Sequence, residues 1–190
     1  MLAPTITADI LPRLIDAART GKSGARDLAV VCIAIDTGAR PCELAGMTWR
    51  VVCDAAGNLT GRARWQTRKN GNVRDVPLSP ETVAALTALR MVSGEPEGRA
   101  WLFPGPNGRM VDSSMRALLT AIARRGRLDA SGYSLRHLTF TVKANAAVAA
   151  GATVADLARF TGHKGITTPA AYMEANTVAR AAIDAARVMP

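Results

Sequence analysis

Apolar positions in this chain fall first at helical spacing, then at alternating spacing, then at helical spacing again. Leu28, Val31, Cys32 and Ile35 recur every three to four residues. That period predicts a helix from the glycine turn at 21–24 to near Gly38, a natural C-terminal glycine. Ahead of it, Thr7 or Asp9 caps a first helix running to about Thr20. Pro41 suits the first turn of a short helix through Glu43, Leu44 and Ala45. From Thr48 to Leu78 the period shortens. Trp49, Val51 and Val52 read as a strand, and Ala56-Gly57-Asn58 as a turn. Residues 59–66 read as a second strand, Asn70-Gly71-Asn72 as a hairpin turn, and Val73, Val76 and Leu78 as a third strand. Helical spacing then returns. Ser79 or Pro80 opens a helix through Leu89, and residues 94–108 form a loop with WLFP as its apolar patch. Asp112 or Ser113 caps a helix carrying Met115, Leu118, Leu119 and Ile122. Ser134 caps a long helix to Gly151, and Thr153 a short one to Phe160. Thr167 or Thr168 starts another across Tyr172, and Thr177 a last one. The expected fold is mainly α with a small three-stranded antiparallel β-sheet, in a single domain over residues 1–190.

Composition supports a packed domain: 48% of the residues are hydrophobic, too many for a disordered chain. The formal charge is +9, from 24 basic against 15 acidic residues, which suits a polyanionic partner and puts nucleic acid first among them. Solubility with a basic bias is the plainer account of the same number. Cys32, Cys42 and Cys53 match no zinc spacing, and an odd count argues against a disulfide framework, so a reducing cytoplasm is expected. The start, MLAPTITADIL, does not read as a signal peptide. No apolar run approaches the ~18 residues of a membrane helix.

The candidate chemistry centres on Tyr172, nine residues after His163 in a chain with only two tyrosines and two histidines. A phenol oxygen can attack phosphorus and hold it covalently. There is no carboxylate cluster suited to magnesium, no HExxH and no phosphate-binding glycine loop, so no metal ligands and no cofactor are assigned. Cationic side chains are then the candidates for stabilising a charged transition state. In TGARPCEL, Arg40 offers a planar fork and Glu43, three residues on, can orient it. The plainer reading is a helix-end ion pair. The hairpin segment Arg68-Lys69-Asn70-Gly71-Asn72-Val73-Arg74 places a lysine where it can reach a DNA groove or protonate a leaving oxygen, or is simply a solvated basic turn. In Tyr133-Ser134-Leu135-Arg136-His137, Arg136 falls in the first turn of a helix, where the macrodipole does not favour a cation. That placement hints at an anionic partner, although an exposed helix turn would look the same.

The order Arg, Lys, Arg, His, Tyr and the local boxes resemble the tyrosine recombinase family, which includes the phage integrases. The pattern TGxRxxEL is met by TGARPCEL. Lys69 stands eight residues before Pro77, as the family's hairpin lysine does. HxLRH is met as YSLRH, and LxxxxGH with a tyrosine nine residues later is met by Leu157, Gly162, His163 and Tyr172. The resemblance runs from about Ala25 to Ala179. It implies the family's catalytic-domain fold, without the N-terminal DNA-clamping domain that most members carry. It also implies a site-specific recombinase that cleaves and rejoins double-stranded DNA through a 3′-phosphotyrosyl link, without metal or ATP.

By that resemblance Tyr172 is the nucleophile, and Arg40 and Arg136 stabilise the phosphorane. Lys69 protonates the leaving oxygen, His163 assists, and Glu43 supports Arg40. Arg68, Lys69, Arg74, His137 and Lys164 are the expected DNA contacts. Tyr133 stands where the family usually has histidine. A phenol, with an unperturbed pKa of about 10, donates a hydrogen bond but does not share histidine's proton traffic near neutrality. Family members act as four protomers on two DNA sites. A homotetramer is therefore expected on DNA, a monomer is compatible without it, and residues 177–190 are expected as a helix exchanged between protomers. Two other readings stand beside this one: a DNA-binding accessory module that has lost catalysis, and a type IB topoisomerase.

Overall fold

The computed structural model describes residues 10–67, 71–94, 96–161, 167, 169 and 170. Seven helices are described: α1 (Leu11–Arg19), α2 (Gly24–Thr37), α3 (Pro41–Leu44), α4 (Pro80–Val92), α5 (Asp112–Arg125), α6 (Gly132–Ala149) and α7 (Val154–Thr161). Two small hairpins accompany them, β1 (Arg62–Gln66) with β2 (Val73–Pro77), and β3 (Pro104–Gly105) with β4 (Gly108–Arg109). Among the described residues no helix is long and apolar enough to cross a membrane. Three expectations fall outside the described residues: caps at Thr7 or Asp9, the helix across Tyr172, and the helix from Thr177.

Helix α2 is the central element and packs against α1, α4, α5 and α6. The helical period predicts one apolar face, but the burial goes round the helix. Ala29, Val30, Val31 and Ile33 are fully buried, while Leu28 and Ile35 are only partly so. A helix with neighbours on all sides needs apolar or small residues on all sides. It ends as expected, with Gly38 at φ +57° closing the last turn through its N–H to Ala34 O at 2.8 Å. Near that end Asp36 accepts from the Ser79 N–H at 2.7 Å and the Thr82 hydroxyl at 2.6 Å, which ties the start of α4 to α2.

The expected three-stranded sheet is reduced to the β1–β2 hairpin. Trp49–Val51 is a 3-10 turn, not a strand. Its backbone is occupied elsewhere: the Trp49 N–H donates to Ala100 O and the Arg50 N–H to Gly98 O. The WLFP patch is therefore strapped to residues 47–50, and it buries Leu102 and Phe103 in the core. The second expected strand is cut short at Gly61, at φ +67°, leaving Arg62–Gln66. Only a single bridge, Cys53 to Leu59, remains of the pairing expected with the first strand.

Candidate active site

Two turns of chain fix the first arginine. At the end of α2 the Thr37 hydroxyl bonds back to Ile33 O at 2.5 Å, and the Ala39 N–H points to the same hydroxyl at 3.1 Å. Arg40 follows with extended backbone, and Pro41 opens α3. Glu43, only 4% exposed, then holds Arg40 twice. Its carboxylate takes the Arg40 backbone N–H at 2.8 Å and the Arg40 guanidinium at 3.3 Å. The spacing of three residues in the sequence is thus a clamp on both ends of one residue, with the Arg40 side chain left 21% exposed.

The second arginine arrives from α6. That helix begins at Gly132, two residues before the expected cap at Ser134. The capping group is Ser131, whose hydroxyl takes the Ser134 N–H at 3.3 Å while the Ser134 hydroxyl takes the Ser131 N–H at 3.2 Å. Arg136 consequently lies in the second turn, and the macrodipole that matters to it belongs to a different helix. Its guanidinium donates to Gly38 O, 98 residues away, at the negative end of α2. Phe140 lies under the guanidinium, 4.2 Å from its ring centre, and Arg136 is 8% exposed. A β-carbon at Gly38 would sit 2.7 Å from the Phe140 ring, so the glycine serves both the left-handed turn and this close packing.

The β hairpin brings a third arginine. Arg74 pairs directly with Trp65 across the two strands, and its guanidinium lies 4.6 Å over the indole. It donates to Thr37 O at 2.6 Å. Burial pushes its pKa down to about 9, the positive charges of Arg136 and Arg40 push the same way, and Glu43 opposes them. The four side chains therefore form one electrostatic cluster. Among the described residues the charges of Arg136, Glu43 and Arg40 all act on Arg74, and Arg74 and Arg136 are almost wholly out of water. Such an arrangement is costly to fold and is suited to an anion that brings its own charge. Glu43 also lines a cleft of about 380 Å³ with Cys42, Met47, Trp65, Trp101 and Arg109.

Arg40 and Glu43 are thus in direct contact, and Arg136 is anchored on the nearby Gly38 carbonyl. Arg74 joins them in the interior, 2% exposed, and not on the outer face of the hairpin. The signal was in the strand period: Arg74 shares a face with Val76, and Trp65 shares one with Ala63, while Val73 points out and is 58% exposed. Tyr133 is half exposed on the first turn of α6. The guanidinium of Arg116 stacks 5.2 Å from its ring and is held in turn by Asp112. His137 is exposed on the same helix. Arg68, Lys69, His163, Lys164 and Tyr172 lie outside the described residues. Helix α7, which ends one residue before Gly162-His163, packs on both β2 and α6.

The model of the phage integrase family matches residues 4–178. Solved structures share the fold. XerA recombinase superposes with a TM-score of 0.70 at 22% identity over 88% of this chain and 57% of its own. A Tn1549 transposon integrase fragment in complex with circular intermediate DNA gives 0.64 at 20% identity over 90% and 63%. A lambda integrase fragment, crystallised as a dimer bound to a COC′ core site, gives 0.63 at 15% identity over 89% and 58%. This chain spans about three fifths of those structures. No curated protein matches it. With the family match covering nearly the whole sequence and the arginine–glutamate geometry in place, the chain belongs to the phage integrase family of tyrosine recombinases.

Proposed function

We propose that this chain is the catalytic domain of a site-specific DNA recombinase working through a covalent phosphotyrosyl intermediate. One observation carries the reading: Arg40 and Arg136, from sequence boxes 96 residues apart, are both anchored at the C-terminus of α2, Arg40 by buried Glu43 and Arg136 by the Gly38 carbonyl. Positive charge fixed in a dry site stabilises a pentacoordinate phosphorane without reorganising during the reaction. In this scheme the Tyr172 oxygen attacks a DNA phosphorus and gives up its proton. The bond from phosphorus to the 5′ oxygen breaks, and Lys69 supplies the proton that the leaving oxygen takes up. The link keeps the energy of the broken bond, so a 5′-hydroxyl from another strand can reverse the step without ATP. His163 hydrogen-bonds a non-bridging oxygen or assists Tyr172. A homotetramer on paired sites, with residues 177–190 docked in a neighbour, completes the scheme. The recombinases and integrases of the same fold, two of them in complexes with DNA, support this reading.

The test is a duplex nicked close to the scissile phosphate, which traps the covalent species by releasing a short leaving strand. Wild type forms a protein–DNA adduct and Tyr172→Phe forms none. If neither forms an adduct while both retard DNA on a gel, the chain is a DNA-binding accessory module. Tyr133 in the usual histidine position, half exposed and stacked with Arg116, is the feature that favours this second reading.

A further inference from the structure

Strand β2 is held to the active site by a charged side chain in a slot that the strand period reserves for the core. Arg74 and Val76 share the inward face, and an aliphatic residue at 74 would satisfy the sheet at lower cost. The guanidinium instead reaches Thr37 O, while Arg136 takes the next carbonyl, Gly38 O. Two arginines from two separate elements thus grip successive carbonyls at the end of α2. Arg40 lies three residues after the first of these carbonyls and two after the second. The indole of Trp65 fixes the plane of the Arg74 guanidinium from across the hairpin. The same strand touches α7, the helix that leads to His163, and its first residue stands four after Lys69.

We propose that Arg74 is a positioning residue. It latches β2 to the C-terminus of α2, and so sets the β1–β2 hairpin in register with Arg40 and Arg136. This assignment rests on the recombinase reading for its catalytic consequence, but not for the latch itself. At 2% exposure Arg74 is too deep to act as a groove contact, and its effect passes through the Thr37–Arg40 turn. Misplacement of catalytic groups by about 1 Å is enough to cost about a hundredfold in rate.

Arg74→Met keeps the stem and removes the fork; Arg74→Lys keeps the charge and one donor. The first measurement is amide hydrogen exchange without DNA. The reporters are the Ala39 and Arg40 N–H groups, held by the Thr37 hydroxyl and by Glu43, with the Met115 N–H of α5 as the reference. In Arg74→Met, exchange at Ala39 and Arg40 rises at least tenfold over the change at Met115, and Arg74→Lys falls between the two. The second measurement is the single-turnover rate on the nicked duplex at saturating protein. It falls about a hundredfold in Arg74→Met, with DNA affinity within about threefold of wild type and partial recovery in Arg74→Lys. Wild-type exchange at Ala39 and Arg40 overturns the latch, as does an unchanged single-turnover rate with lost DNA affinity. Should Arg74→Met fail to fold, the exchange pattern of Arg74→Lys decides by the same criterion. Should wild type itself form no adduct, the recombinase reading falls and exchange alone decides the latch.

Discussion

The two ends of α2 solve similar electrostatic problems in opposite ways. At the N-terminal end Asp27, 2% exposed, is met by Arg26 at 2.9 Å and Arg125 at 3.4 Å. Both arginine side chains keep about a third of their surface in water, at 33% and 34% exposed. Arg125 also donates to Ala17 O at 2.6 Å, so the cluster ties α1, α2 and α5 together. Its surplus positive charge is solvated and asks for no further partner. At the C-terminal end Glu43 is similarly buried, but Arg74 and Arg136 are too, at 2% and 8% exposed. There two of the guanidiniums have little access to water, and burial and like charges together depress the proton affinity of Arg74. An arginine–carboxylate cluster is a joint when solvent dissipates its excess charge. It becomes a candidate anion site when the protein withholds that solvent.

The largest expected effect separates the two ends by function. Arg136→Ala removes a donor from the developing phosphorane and lowers cleavage of the nicked duplex by about 10²–10³-fold. Asp27→Asn, at the other end, leaves the cleavage rate of the folded protein unchanged. It lowers unfolding free energy in urea by about 1–3 kcal/mol, because a buried charge partner is lost. A rate loss in Asp27→Asn comparable with that of Arg136→Ala would erase the distinction between joint and site.

A smaller effect is expected from pH. The folded pKa of Arg74, pushed down to about 9, lies well below its value in the unfolded chain. Between these values the unfolded chain binds more protons, so this group makes stability rise with pH through that window. Below about pH 9 both states are charged and the burial cost is constant. Comparison of wild type with Arg74→Met by urea unfolding, which cancels the shared titration of the lysines, isolates the effect. Wild type gains up to about 1.4 kcal/mol per pH unit relative to the variant above pH 9, and nothing below it. A flat difference across that range would show that the guanidinium is better solvated than its 2% exposure implies.

Tyr133→His gives the smallest effect and sharpens the C-terminal end alone. An imidazole three residues before Arg136 restores a group that titrates near neutrality. The cleavage rate at pH 7 is expected to rise about threefold and to acquire a dependence on pH between 6 and 8. An unchanged rate and profile would detach this position from proton transfer.

Local signals were legible where the partner is close in sequence. The glycine that stops α2 and the clamp of Glu43 on Arg40 act over three or four residues, and spacing alone exposed them. The inward turn of Arg74 was also legible, in the parity of its strand with Val76, but the run of arginine and lysine around it reads as a solvated basic hairpin. The first expected strand was not legible as a turn, because what converts it is the pairing of Trp49 and Arg50 with a loop about fifty residues on. Nor was the burial of α2 on all sides, since a helical period reports one face and cannot count neighbours.

Residue order alone carries the arginine, lysine, histidine and tyrosine boxes, the basic surplus and the mainly helical frame with antiparallel strands in it. These follow from residue type and short-range period. Tertiary structure decided which carbonyls the arginines hold, because α2, β2 and α6 meet only when the chain packs. It also decided that Arg74 and Arg136 lose their water, because desolvation belongs to the packed neighbours of a side chain and not to its place in a sequence.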